Sequence, residues 1–299
     1  MKGPCALFEN PLEATLWCRG MCERGESIGF VPTMGALHEG HLSLVRRAVA
    51  ENEHSCVSVF VNPLQFDNPE DLERYPRDLA SDRELLSAVG CSMVFTGTLE
   101  SFFPDALTSG DIPLRDPGPG AEGMEGAFRS GHFEGVATIC GLLFELVHPT
   151  RAYFGEKDYQ QCLVVERLAR ELGFPKIVIC ETSREPGGLA RSSRNQRLGP
   201  AEKEQAHALS RSLFAARAAW AEGERDATRL RAILHEHLDV TGVEMEYGEI
   251  RDPERWSAEA PSGVLRRARA LVAAKVGLVR LIDNLELGLL EDAQGTARG

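Results

Sequence analysis

Two histidines, His38 and His41, stand three residues apart inside the stretch PTMGALHEGHLSLV, residues 32–45. Imidazoles in that setting can donate hydrogen bonds to phosphate oxygens and to charge that develops during phosphoryl or adenylyl transfer. They can also share a metal ion, with Glu39 as the nearest third ligand, or serve only in packing. Gly35 and Gly40 let the backbone come close to a ligand. The stretch follows a short β-forming run and leads into a helical one. The histidines therefore open a helix, where free N–H groups favour an anion. Taken alone, these residues leave phosphate, metal and structure open.

Other polar residues fall in equivalent places. FVNPLQF carries Asn62 and Gln65, FGEKDYQQ carries Gly155, Lys157, Asp158 and Gln161, and SSRN carries Ser192, Ser193 and Arg194. Each follows an apolar, β-like run. Polar residues placed by chance would be scattered, whereas these gather at strand ends. No serine or cysteine stands in a convincing nucleophile setting.

The elements that must position them follow from periodicity. SIGFVP, CVSVFVNP, CSMVFTG, RAYFG and KIVICE are short, apolar and rich in β-formers. Between them run helical stretches. HLSLVRRAVAE places Leu42, Val45 and Val49 on one face, DLASDRELLSAVG closes at Gly90, and GVATICGLLFELVHP is almost wholly apolar. Apolar strands alternating with helices predict an α/β fold: a doubly wound, Rossmann-like parallel sheet covered on both faces. Such sheets bind ligands at the carboxyl ends of their strands. Residues 1–182 are assigned to this domain. Residues 183–299 change texture, with two helical stretches and then the β-like runs VEMEYGEIRD, ALVAAKVG and VRLIDNLEL, and are assigned to a smaller α+β domain. Residues 105–130, rich in Gly and Pro, read as a long irregular loop.

Of the 299 residues, 43% are hydrophobic and 26% charged, which is enough to build a core without staples. A net charge of −12 argues against a nonspecific nucleic-acid binder or an anionic membrane as partner. No run is long and apolar enough to span a bilayer, and the N-terminal stretch is not patterned as a secretory signal, so the expected location is the cytoplasm. The eight cysteines contain no CxxC pair and mostly lie in apolar runs, as reduced, buried thiols would.

PTMGALHEGHLSLV, FVNPLQF, YPRD, GHFEGVAT, YFGEKDYQQ, GLARSSRN and VRLIDN together resemble the serial motifs of the pantothenate synthetase (pantoate–β-alanine ligase) family, in the same order and over nearly the whole chain. The histidine pair resembles the HxGH signature of nucleotidyltransferases. The resemblance implies two half-reactions. Pantoate and ATP give pantoyl adenylate and pyrophosphate, and β-alanine then takes the acyl group and releases AMP. It implies that His38, His41 and Lys157 are catalytic. ATP would also meet Pro32, Thr33, Met34, Gly155, Asp158, Ser183 and Arg191, with Ser192, Ser193 and Arg194 of a C-terminal lid domain clamping its outer phosphates. Pantoate would lie against Met34, Asn62, Gln65 and Gln161, with Arg129 and His132 at the edge of its site. Magnesium would accompany ATP through phosphate oxygens and water, with no dedicated protein cage. A homodimer is also implied, for which the apolar strand CVSVFV is the sequence's own support. Gly187 and Gly188 are expected to act as a hinge between the domains.

The chain departs from the family pattern in places. Glu181 stands for a usual proline, Ser183 for valine, Gly187 for aspartate and Arg191 for methionine. Leu142, Glu145 and His148 stand for lysine, asparagine and glutamine. Arg191 is expected to tighten phosphate binding or to pair with Glu181. Two other readings remain at this point: a nucleotidyltransferase acting on another substrate, and a binding protein without turnover.

Overall fold

The computed structural model describes residues 5–104 and 111–289. The chain divides between Ser183 and Arg184 into two compact units. The first holds six parallel strands: β1 (Ala6–Phe8), β2 (Ile28–Thr33), β3 (His54–Val59), β4 (Met93–Phe95), β5 (Arg151–Gly155) and β6 (Lys176–Cys180), in the order β1-β4-β3-β2-β5-β6. Alternate side chains of a strand leave on opposite faces, and here each face has its own core. Phe30, Cys56, Met93 and Phe154 enter one, and their neighbours Val31, Val57, Val94 and Tyr153 enter the other. Helices α1 (Pro11–Glu23), α7 (His132–Val147) and α8 (Tyr159–Leu172) supply side chains to the first core, and α2 (Glu39–Glu51) and α4 (Leu79–Ala88) to the second. Each large side chain so enclosed contributes roughly 1.5–3 kcal/mol. The expected doubly wound sheet is the one observed.

Three further short α-helices lie among the described residues of this unit: α3 (Pro69–Glu73), α5 (Leu99–Phe102) and α6 (Met124–Phe128). Residues 105–110 of the expected loop lie outside the described residues. Residues 111–118 are irregular as expected, and the remainder holds a 3-10 turn (Pro119–Ala121) and α6. Buried Gln160 ties it down. Its Nε2 donates to the carbonyls of Gly120, Glu122 and Gly123, and its Oε1 accepts from Glu125 N at 2.9 Å. Seven of the eight cysteines are buried and all are free, with Cys22 exposed. CVSVFV forms β3 and the turn after it, inside the sheet between β2 and β4. Cys56, Val57, Val59 and Phe60 of this stretch enter the unit's own cores. No helix among the described residues is long and apolar enough to cross a membrane.

The second unit packs α9 (Pro200–Ala221) and α10 (Ala227–Leu238) against an antiparallel sheet of β7 (Val243–Arg251), β8 (Arg267–Val276) and β9 (Val279–Leu289). Leu209, Leu213, Leu230 and Leu234 meet Ala270, Val272 and Ala274 in its core. Gly187 and Gly188 belong to this unit. They lie just past the division, inside a turn where Gly188 N donates to Glu185 O at 2.8 Å.

Candidate active site

The sheet order reverses between β2 and β5, the place where doubly wound sheets bind ligands. These strands pair only at Gly29↔Arg151 and Phe30↔Ala152, while β2 stays paired to β3 as far as Thr33 and β5 to β6 as far as Gly155. Beyond that point β2 and β5 part. Pro32, which has no N–H to lend a ladder, lies in the parted stretch. Thr33 is committed to the turn that follows: its Oγ1 donates to Ser58 O at 2.7 Å and accepts from Gly35 N at 3.2 Å.

The turn into α2 is unusual in its backbone. Gly35 has φ +80° and Ala36 φ +51°, the second uncommon for a residue with a side chain. Asp82, on α4 and 2% exposed, accounts for it. Its carboxylate accepts from Ala36 N at 3.0 Å and Leu37 N at 2.7 Å. Burial raises its pKa, and these two N–H donors pull the other way. A Cβ at Gly35 would also stand 2.9 Å from Asp82 Oδ2. Nothing in the sequence marked Asp82, 41 residues downstream of His41 in a helix with a solvated face. Asp82→Ala leaves both N–H groups unpaired, at a cost of roughly 1–3 kcal/mol each. Urea unfolding should show that loss of stability, and adenylation should slow with it because the next residue is His38. Unchanged stability would remove Asp82 from this role.

The two imidazoles cap α2 and each other, with ring centroids 4.0 Å apart. His38 Nδ1 accepts from Gly40 N at 3.1 Å, and His41 Nδ1 accepts from His38 N at 3.3 Å. Both Nδ1 atoms are acceptors, so in the neutral rings the proton sits on Nε2. Burial pushes the His41 pKa down to about 3, with the charges of His38 and Lys157 adding to it. His41 therefore presents a neutral N–H donor. Glu39, the nearest third metal ligand, faces Arg46 at 2.5 Å instead.

Lys157 comes from the turn after β5. Its Nζ lies 3.4 Å from Asp158 Oδ1, and its side chain is 19% exposed. Asp158 caps α8, and its charge is felt by His132. That link leads to the amides. Gln65 is buried, with its Nε2 3.1 Å from Met34 Sδ and its Oε1 3.1 Å from Asn62 Nδ2. Its backbone carbonyl accepts from His132 Nδ1 at 2.9 Å and from Arg129 at 3.3 Å. His132 thus keeps Nε2 as an acceptor for Arg129, 3.2 Å away. Burial, with Arg129 next, holds the His132 pKa down at about 4. Asn62, expected to touch pantoate itself, spends both amide donors on Gln65 and on Gly135 O. Arg129 and His132, expected at the site edge, likewise hold Gln65. Gln161, half-buried on the first turn of α8, makes no side-chain hydrogen bond among the described residues. The structure thus gathers Met34, His38, His41, Asn62, Gln65, Arg129, His132, Gly155, Lys157, Asp158 and Gln161 on the carboxyl-end turns of β2, β3 and β5 and the helices packed there.

A family model described as pantoate-beta-alanine ligase matches residues 6–286. The chain belongs to that family. It is 47% identical over 289 residues to a pantothenate synthetase of Rubrobacter xylanophilus, an alignment covering 95% of this chain and 99% of the relative. The crystal structure of pantothenate synthetase from Thermus thermophilus superposes with a TM-score of 0.85 at 43% identity, over 94% of this chain and 99% of that one. A pantoate-beta-alanine ligase of Francisella tularensis, solved with beta-gamma ATP and beta-alanine, superposes at 0.76 with 31% identity, over 95% and 98% of the two chains.

Several departures from the family pattern have local causes. Glu145 pairs with Arg115 at 2.6 Å, and His148 stacks on Phe174 with centroids 4.2 Å apart. Leu142 packs against the first core. At Gly187 an added Cβ would stand 2.3 Å from His207 Cε1, so an aspartate there would require this imidazole to shift. Ser183 ends the first unit, and Arg191, Ser192, Ser193 and Arg194 lie in the second. Ser192 caps the 3-10 turn Ser193–Arg197, its Oγ accepting from Arg194 N at 3.3 Å. The Asn195 hydrogen bond holds the Glu185 pKa down, with Lys203 next and the Arg191 charge a lesser contribution. The Arg191 side chain is part-buried. Its Nε is buried without a partner. Nothing in the structure explains Glu181 or Ser183.

Proposed function

We infer that the enzyme carries out the reaction its family is named for, the ATP-dependent joining of pantoate to β-alanine. A carboxylate oxygen of pantoate attacks the α-phosphorus, the bond to the β-phosphate breaks, and pyrophosphate leaves. The amine of β-alanine then attacks the acyl carbon, the acyl–oxygen bond breaks, and AMP leaves. The observation that carries this reading is the placement of His38, the neutral His41 N–H donor and the Lys157 charge beside the Gln65 cage, where β2 and β5 part. The donors would face charge that develops on the phosphorus. Gln65 and Gln161 would hold pantoate, with Asn62, Arg129 and His132 fixing Gln65 and Met34 closing its side. Gly155 and Asp158 would take the ribose, next to Pro32 and Thr33. Ser183 and Arg191 would flank the nucleotide, and Ser192, Ser193 and Arg194, on the lid, would take the outer phosphates. Magnesium would accompany ATP through phosphate oxygens and water. A homodimer in the cytoplasm is part of the same reading.

The test separates the half-reactions. Labelled pyrophosphate should exchange into ATP with pantoate and magnesium alone, and AMP should accumulate only once β-alanine is added. Exchange without pantoate would overturn the reading. Arg191→Met should change the apparent KM for ATP about threefold and leave that for pantoate unaltered, as expected for one charge near an exposed phosphate. Equal changes in both would take Arg191 away from the nucleotide.

A further inference from the structure

VRLIDN has no part in the chemistry above, yet it holds two consecutive polar residues, Asp283 and Asn284, each 3% exposed in the interior of β9. Neighbouring residues of a strand face opposite ways, so neither is at the rim by accident, and burying such groups is costly unless they are bonded. Both meet Arg184. Its guanidinium donates to Asp283 Oδ2 at 2.6 Å and Oδ1 at 3.0 Å, a forked pair, and to Asn284 O at 3.2 Å.

Arg184 is the first residue of the segment that ends in SSRN, and the same guanidinium closes it by donating to Gly188 O at 2.9 Å. Glu185 N donates to Leu189 O at 2.8 Å, and Arg184 and Ala190 form a bridge. At the far end, buried Asn195 donates from Nδ2 to Glu185 Oε1 and to Ala190 O, both at 3.0 Å. Residues 191–194 are therefore the span left between two fixed points, one of which rests on Asp283. The Arg184 side chain also lies over the Phe214 ring, 5.4 Å from its centroid, which limits where it can go if the carboxylate is lost.

We propose that Asp283 is a positioning residue for the phosphate-binding loop, setting the place of Ser192, Ser193 and Arg194 through the forked pair with Arg184. The proposal rests on the reading of Ser192–Arg194 as the element that holds the outer phosphates of ATP. Asp283→Asn keeps the shape and removes the charge. It should raise the apparent KM for ATP about tenfold while the KM for pantoate stays within twofold. Arg184→Lys keeps the charge and loses the fork, and should do the same. It also serves if Asp283→Asn fails to fold. In the double variant the two effects should not multiply, because they act through one contact. Arg194→Ala is the separate control. An unchanged KM for ATP there would defeat the phosphate-loop reading itself. If Arg194→Ala raises that KM but Asp283→Asn and Arg184→Lys only lower the melting temperature, with both KM values in their original ratio, the positioning role is overturned.

Discussion

His41→Ala is expected to cut pantoate-dependent exchange of labelled pyrophosphate into ATP by about 10²–10³-fold, the usual consequence of losing one preorganised donor to developing charge. The geometry makes the loss specific. His41 Nδ1 is already taken by His38 N, so its Nε2–H is the end left to act on a ligand. With a pKa near 3, the ring is neutral throughout the working range, and no loss of activity between pH 5 and 8 should trace to its titration. Alanine also releases the His38 N–H, so the helix start loosens. Pantoate binding measured by calorimetry separates the two effects, since Gln65, Asn62, Arg129 and His132 lie on other turns. A variant that exchanges at the original rate would remove the pair from catalysis. One that no longer binds pantoate would show a collapsed site rather than a missing donor.

Lys157→Ala should be of similar severity, about 10²–10³-fold in exchange, because it removes a point charge from a site where two anions must meet. A second readout is independent of turnover. The Lys157 charge helps to hold the His41 pKa down. Removing a nearby positive charge stabilises the imidazolium, so the His41 titration followed by NMR should move up from about 3. An unmoved titration, whatever the activity, would place Lys157 away from His41.

Much of this was legible from the residues in order. Periodicity marked the long strands and helices, and polar residues at strand ends marked the site. Ala6–Phe8 escaped because three residues carry no period. The helix after it, α1, leaves Leu12 and Leu16 exposed and so lacks a clean apolar stripe. Roles inside the site were less legible than membership. A sequence shows that Asn62, Arg129 and His132 are polar and near a motif, but not that each donates a hydrogen bond to Gln65. Asp82 was invisible for a related reason: a carboxylate that serves backbone N–H groups on another element leaves no local pattern.

Gly187 and His207 set a condition on redesign. With no Cβ at 187, the imidazole occupies the space that a side chain there would need. An aspartate can return only if that ring gives way, so the two positions behave as one unit, and a change at 187 has to be made with 207 in view.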